Sequence, residues 1–159
     1  MAGIQSFTES DMKIDHIAIA VKSVESAAQF WEKAFGYKRM TTIVENTRQK
    51  VKVLFLRKEG SIDIKLIEPS DESSPVFRFI QKNSGLHHIC FRCGNIEEEI
   101  KRLKGMGLRL MAGPQPGEAF ENEDIAFLLA QGGINMELID TDKRAGLIPE
   151  NDGENNEQV

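Results

Sequence analysis

No stretch of this chain approaches the roughly 20 consecutive apolar residues that a membrane-spanning helix requires, which excludes an α-helical membrane protein. Cysteine is scarce too, with 2 in 159 residues, too few for a disulfide-built scaffold. Met1 to Met12 is too polar for a secretory signal, so a reducing, cytoplasmic setting is expected. An excess of positive charge is also missing. The chain has 20 Lys and Arg against 25 Asp and Glu, a net charge of -5, and carries no basic stripe for nucleic acid. What remains is ordinary for a globular domain: 40% apolar and 28% charged residues, in a length that gives one domain with a proper core.

The informative feature is an internal repeat. A shift of 72 positions lays His16-Ile17 on His88-Ile89, Val24-Glu25 on Ile96-Glu97, Phe55-Leu56 on Phe127-Leu128 and Leu66-Ile67 on Leu138-Ile139. One offset without a gap at these positions means two copies of one unit, about 13–70 and 85–140. In the first copy Lys13 to Val21 alternates as a strand. Ser23 to Phe35 reads as an amphipathic helix capped by Ser23 and ended by Gly36. Strands follow at Lys50 to Arg57 and Ser61 to Glu68, with a weaker one near Tyr37 to Val44. The second copy repeats the order: Leu86 to Cys93, a helix over Asn95 to Lys104, strands at Leu108 to Ala112, Ile125 to Leu129 and Gly133 to Asp140, and a loop over Pro114 to Asp124. Val76 to Lys82 forms a short linking helix. The expected fold is α+β: two tandem βαβββ units forming a curved, cup-like mixed sheet with helices on the outside, in a single domain over 13–140. Residues 1–12 read as a loose leader, and 141–159 as a disordered polar tail.

Strand parity then selects the chemistry. Ile17, Ile19 and Val21 face the helix, so His16 faces the other way, and so does His88 in its copy. Leu66 and Leu138 face the helices, which leaves Lys65 and Glu137 on the histidine side. Four side chains, His16, His88, Lys65 and Glu137, thereby converge over one curved sheet. Two imidazoles and a carboxylate suit a divalent ion, with positions left for water or substrate. Such an ion would act as a Lewis acid toward an enolate formed next to a carbonyl. His87 falls on the opposite face from His88 and reads as structural. Cys90 and Cys93 point to opposite faces of a strand, so they neither chelate one ion nor pair.

The segments KIDHIAIAVKSVESAAQFWEKAFGY, LIEPSDESSPVFRFIQKNSGLHHICF and GINMELID resemble the glyoxalase/bleomycin-resistance/extradiol-dioxygenase (vicinal oxygen chelate) superfamily. Within it they are most similar to the methylmalonyl-CoA epimerases, over about Lys13 to Asp140. The resemblance implies a homodimer, a divalent ion such as cobalt or manganese, an acyl-CoA or carboxylate ligand, and proton transfer alpha to a thioester carbonyl. It carries metal ligation to His16, His88 and Glu137. Where those epimerases have a Gln or Glu as fourth ligand, this chain has Lys65, whose ammonium cannot coordinate a cation. Their occasional base glutamate is replaced by Val53, leaving Glu137, then Glu45, then Lys65 as candidates for proton transfer. The alternatives are a metal-free binding protein for a small carboxylate on the same fold, favoured by Lys65, and a lactoylglutathione lyase-like isomerase.

Overall fold

The computed structural model describes residues 11–83 and 85–150. Strand β1 (Lys13–Ala20) leads into helix α1 (Val24–Phe35), then β2 (Lys38–Arg39), β3 (Val44–Asn46), β4 (Val51–Arg57) and β5 (Asp63–Pro69). Helix α2 (Pro75–Asn83) links to the second copy, which comprises β6 (Gly85–Arg92), α3 (Ile96–Gly105), β7 (Arg109–Gly117), β8 (Glu123–Leu129) and β9 (Asn135–Ile139). All strands join one mixed sheet in the order β2-β4-β5-β1-β6-β9-β8-β7, with β3 paired to β4. The two copies meet along β1 and β6, which run antiparallel, while each first strand lies parallel to the last strand of its own copy.

Local chemistry sets the helices. Ser23 Oγ caps α1 by accepting from Ser26 N–H, Asn95 Oδ1 does the same for α3 from Glu98 N–H, and Gly36 closes α1 in the left-handed conformation. A second symmetric device docks each helix on its sheet. Glu68 Oε2 accepts from Val24 N–H at 2.9 Å, and Asp140 Oδ2 accepts from Ile96 N–H at 3.0 Å. An acid at the end of the last strand thus satisfies the first helical amide of its own copy, where the helix dipole also favours negative charge.

Helices α1 and α3 cover one face. There Val24, Ala28, Leu54, Leu56, Ile64 and Leu66 form one core, and Ile96, Ile100, Leu103, Ala126, Leu128 and Leu138 another. The opposite face carries a single cluster drawn from both copies, including Val53, Phe55, Cys90, Phe120, Ile125 and Ile139. This cluster shows the curl of the sheet. Phe55 on β4 and Phe120, in a 3₁₀ turn over Glu118–Phe120 after β7, have ring centroids 5.9 Å apart. In a flat sheet β4 and β8 would lie roughly 24 Å apart, five strand spacings.

Three expectations need correction. Helix α2 packs with Val76, Phe79 and Ile80 against the concave cluster, so only α1 and α3 lie outside. Strand β7 runs on through Pro114 and Pro116 to Gly117, where a loop was expected. Proline is tolerated because β7 is the sheet edge and pairs only with β8 among the described residues. Residues 141–150 are not a disordered tail. They cross the concave side as a strap, with Ala145 N–H donating to Ala119 O (3.0 Å), Thr42 N–H to Gly146 O (2.8 Å) and Ile148 N–H to Met40 O (2.9 Å). Residues 1–10 and 151–159, which hold most of the leader and the end of the tail, lie outside the described residues.

Glu68→Ala and Asp140→Ala should each lower the free energy of unfolding by about 1 kcal/mol. The two losses should add in the double variant, because the sites lie in different copies. Urea denaturation of the four proteins measures this; a double variant no worse than either single one would contradict independent docking.

Candidate metal centre

The four converging side chains come from four neighbouring strands, in the order Lys65 (β5), His16 (β1), His88 (β6) and Glu137 (β9). All four are buried, at 2%, 0%, 3% and 0% exposure respectively, in the monomer. Ala18 and Ala20, small residues of the same strand parity as His16, are buried as well. Lys65 Nζ donates to Glu137 Oε2 at 3.0 Å and lies 3.5 Å from Oε1. His88 Nε2 stands 2.9 Å from Glu137 Oε2, and His16 Nε2 stands 3.9 Å from Oε1. His16 Nε2 is buried without a hydrogen-bond partner, whereas His88 Nε2 is in contact with the Glu137 carboxylate.

A pair of β-bulges sets the histidine orientation. Between β1 and β6 the register slips at Asp15 and again at His87, positions related by the same 72-residue shift. A bulge brings its extra side chain round to the side of its neighbour. Asp15 Oδ2 therefore lies 2.7 Å from His16 Nδ1, and His87 Nδ1 lies 2.7 Å from His88 Nδ1. A carboxylate only accepts, so His16 Nδ1 carries the proton and its Nε2 presents a lone pair toward Glu137. The expectation that His87 lies on the far face fails for this reason: simple alternation does not survive a bulge. His87 instead packs on Phe79 of α2.

Burial dominates the electrostatics. It pushes His16 down to about 4 from the usual 6.5, against the pull of Asp15 and Glu137, so the ring is neutral. Burial lowers His88 as well, and takes His87 down to about 4. Burial alone would raise the Glu137 carboxyl, but the Lys65 ammonium, then His88, outweigh it and hold the group well below the ordinary carboxylate range. The four converging side chains thus comprise one anion, one cation and two neutral imidazoles, with the Asp15–Arg144 ion pair beside them.

Three of the four corners fit a divalent cation. The donor atoms of His16, His88 and Glu137 all lie within 4.8 Å of one another. A neutral imidazole aiming a buried, unpartnered lone pair at a carboxylate is unfavourable unless a positive charge sits between them. At the fourth corner Lys65 supplies a positive charge of its own. Glu45 is not part of this centre. It is exposed, and β3 pairs it with Lys52, which has the opposite parity on β4 to Val53 and Phe55. Cys90 is buried in the concave cluster while Cys93 packs on the α3 side, as strand alternation requires. Asp15, His87 and Arg144 are the site residues that sequence reasoning missed. For the first two the available signal was a polar residue preceding each histidine.

Residues 15–127 match the model of the Glyoxalase/Bleomycin resistance protein/Dioxygenase superfamily. The chain belongs to this superfamily. It is 35% identical over 131 residues to the uncharacterized protein YqjC of Bacillus subtilis, covering 79% of this chain and 90% of that one. It is 32% identical over 102 residues to the human mitochondrial methylmalonyl-CoA epimerase, covering 63% of this chain and 57% of that enzyme. Among solved structures, a Streptomyces coelicolor methylmalonyl-CoA epimerase variant in complex with 2-nitronate-propionyl-CoA superposes with a TM-score of 0.73 at 25% identity. The superposition covers 82% of this chain and 97% of that one. No helix among the described residues is long and apolar enough to cross a membrane.

Two predictions follow from the charges. Because folding depresses the His16 and His87 pKa values, the unfolded chain takes up protons that the folded chain refuses between pH 6.5 and 4. Stability should therefore fall by about 3 kcal/mol per such group across that window, and Glu137 should add to the loss below its ordinary 4.5. A urea midpoint equal at pH 7 and pH 4.5 would contradict neutral histidines. Separately, Glu137→Leu leaves the Lys65 ammonium buried without its partner and should cost about 3–5 kcal/mol. Lys65→Met in the same chain should restore most of that loss, which a double-mutant cycle reads directly.

Proposed function

We propose that the protein is an isomerase of the acyl-CoA epimerase type, moving a proton alpha to a thioester carbonyl, with methylmalonyl-CoA as substrate. The observation that carries this reading is the unpartnered, buried Nε2 of His16 facing the Glu137 carboxylate inside a closed cup. Likeness to methylmalonyl-CoA epimerases in sequence and in fold supports it. His16, His88 and Glu137 would hold a divalent ion of the cobalt or manganese class. When bound, that ion supplies Lewis-acid stabilisation of the negative charge a thioester oxygen gains as the alpha proton leaves.

The chain's own residues do the rest. Asp15 and His87 fix the two imidazole rings through their Nδ1 atoms, which keeps both Nε2 atoms aimed inward. Phe55, Phe120 and Phe127 pack edge-on or stacked against these imidazoles and exclude water, so charge interactions inside the cup are strong. Glu137 serves as a ligand. Lys65, which pairs with Glu137 in the structure, is assigned to proton transfer or to hydrogen bonding with the substrate oxygen once Glu137 is engaged elsewhere. A homodimer in the cytoplasm completes the reading.

One observation favours a second reading. The Lys65–Glu137 pair at 3.0 Å already neutralises the carboxylate, as it would in a metal-free protein that sequesters a small carboxylate in the same cup. Metal content after cobalt reconstitution, and solvent deuterium uptake at C2 of methylmalonyl-CoA, separate the two. Under the epimerase reading, exchange occurs and falls at least about 100-fold in His88→Ala, a loss of about 2.7 kcal/mol in transition-state stabilisation. Lys65→Gln should bind cobalt more tightly than the parent chain. Absence of both metal and exchange, with a small acid still bound, would establish the binding protein instead.

A further inference from the structure

Arg144 lies outside both copies of the repeat, five residues beyond β9, yet the strap carries it into the concave side of the sheet. The side chain is 6% exposed. Its guanidinium carbon sits 4.8 Å from the ring centroids of both Phe55 and Phe120. Lys65 Nζ lies over the same two rings, 5.0 Å from Phe120 and 5.9 Å from Phe55. Two cations therefore share one aromatic platform inside the cup.

The guanidinium is incompletely used. Nη2 donates to Asp15 Oδ2 and Nη1 to the carbonyl of Lys143, but Nε is buried without any partner. Arginine recognises a carboxylate through a two-donor edge of its planar fork, and here Nη2 has one acceptor while Nε has none. Asp15 meets both His16 Nδ1 and Arg144 Nη2 through the same oxygen, Oδ2, and does not reach Nε. The other carboxylate of the cup, Glu137, is occupied by Lys65. A buried, unspent donor on a cation beside the candidate reaction centre calls for an anionic acceptor brought from outside.

The strap that delivers Arg144 is held mainly by polar contacts. Backbone bonds to Ala119, Met40 and Thr42, together with the Asp15 pair, hold it in place. Its apolar side chains contribute little: Leu147 is 57% exposed and Ile148 41%. Segments held by few buried apolar contacts open at low free energy.

We propose that Arg144 anchors a free carboxylate of the ligand that occupies this cup, the strap opening to admit the ligand and closing to bring the guanidinium onto it. The inference takes its probe from the acyl-CoA reading above, and deepens it by assigning selectivity for dicarboxylic over monocarboxylic acyl thioesters. The test is calorimetric titration of the full chain and of its Arg144→Gln and Arg144→Lys variants. The probes are methylmalonyl-CoA, propionyl-CoA (the same thioester without the free carboxylate) and free malonate.

The parent chain should prefer methylmalonyl-CoA over propionyl-CoA by about tenfold or more, as a charge-assisted hydrogen bond allows. Arg144→Gln should erase that preference. Arg144→Lys, which keeps the charge but loses the fork, should retain only part of it. Equal affinity of the parent for the two esters, or an undiminished preference in Arg144→Gln, overturns the anchor and leaves the acyl-CoA reading standing. If neither ester binds the parent, the acyl-CoA reading fails and malonate decides the anchor. Malonate binding that is lost in Arg144→Gln upholds it; no malonate binding, or binding indifferent to the substitution, overturns it.

Discussion

A carboxylate with no exposed surface sets the terms for this molecule. Glu137 is fully buried in the concave face, and an isolated anion there would be neutralised or expelled. The Lys65 ammonium at 3.0 Å keeps it ionised, with His88 Nε2 beside it at 2.9 Å. Those contacts demand that β5, β6 and β9 present their side chains to one point, and hence that the sheet curl. Curvature in turn brings Phe55 and Phe120 together and leaves a water-excluded cup. Electrostatics in the cup and the shape of the sheet are one constraint seen from two sides. Removing either partner of the pair would leave a buried charge unmatched, whereas an apolar pair of similar volume would satisfy the same packing.

Duplication explains how such a site arises from short-range rules. Each copy places one histidine on its first strand and one polar residue on its last strand, and each supplies a bulge one residue before the histidine. Joining the copies along β1 and β6 then superposes the two half-sites. The symmetry is kept in the scaffold and broken in the chemistry. Asp15 faces His16 where His87 faces His88, and Lys65 stands where its counterpart is Glu137. Asp15 dictates a single tautomer for His16, whereas a histidine partner lets either nitrogen donate. The two imidazoles are therefore not equivalent, and the His16 side is the more rigidly prepared for a cation.

Much of this was legible in the residues because strand side chains alternate strictly. Parity alone put His16, His88, Lys65 and Glu137 on the face away from α1 and α3, and the constant 72-residue shift paired them. What escaped was what breaks alternation or ignores it. The bulges at Asp15 and His87 bring adjacent residues to one side, and the one local mark is the polar residue before each histidine. Glu45 was misjudged because its face depends on the register of β3 against β4, which sequence distance does not supply. The two prolines of β7 signalled a loop because they cannot donate to a ladder, yet an edge strand asks for no donation on its open side. Arg144 was hidden by its setting. The segment TDKRAGLIPE is polar enough to read as solvated, and only the fold shows Arg144 inserted onto two phenylalanine rings while Lys143 stays exposed.

The same charges decide how the cup reads chemically. Lysine at the fourth corner is usually an argument against a metal, since like charges repel. Yet the pair it forms leaves His16 Nε2, 3.9 Å from the carboxylate, without a hydrogen bond. A cation set among the three donors would satisfy all of them at once and free Lys65 from its only buried anion. It could then present its N–H groups to an oxygen of the substrate. In the structure Lys65 and Glu137 form one neutral ion pair, with Lys65 Nζ 3.0 Å from Glu137 Oε2. Were a cation to take the carboxylate, as the proposed function has it, the ammonium would lose that partner and have N–H groups to offer elsewhere. Under the proposed function, lysine at the fourth corner would therefore place a positive charge beside the substrate oxygen and leave the site open to proton transfer.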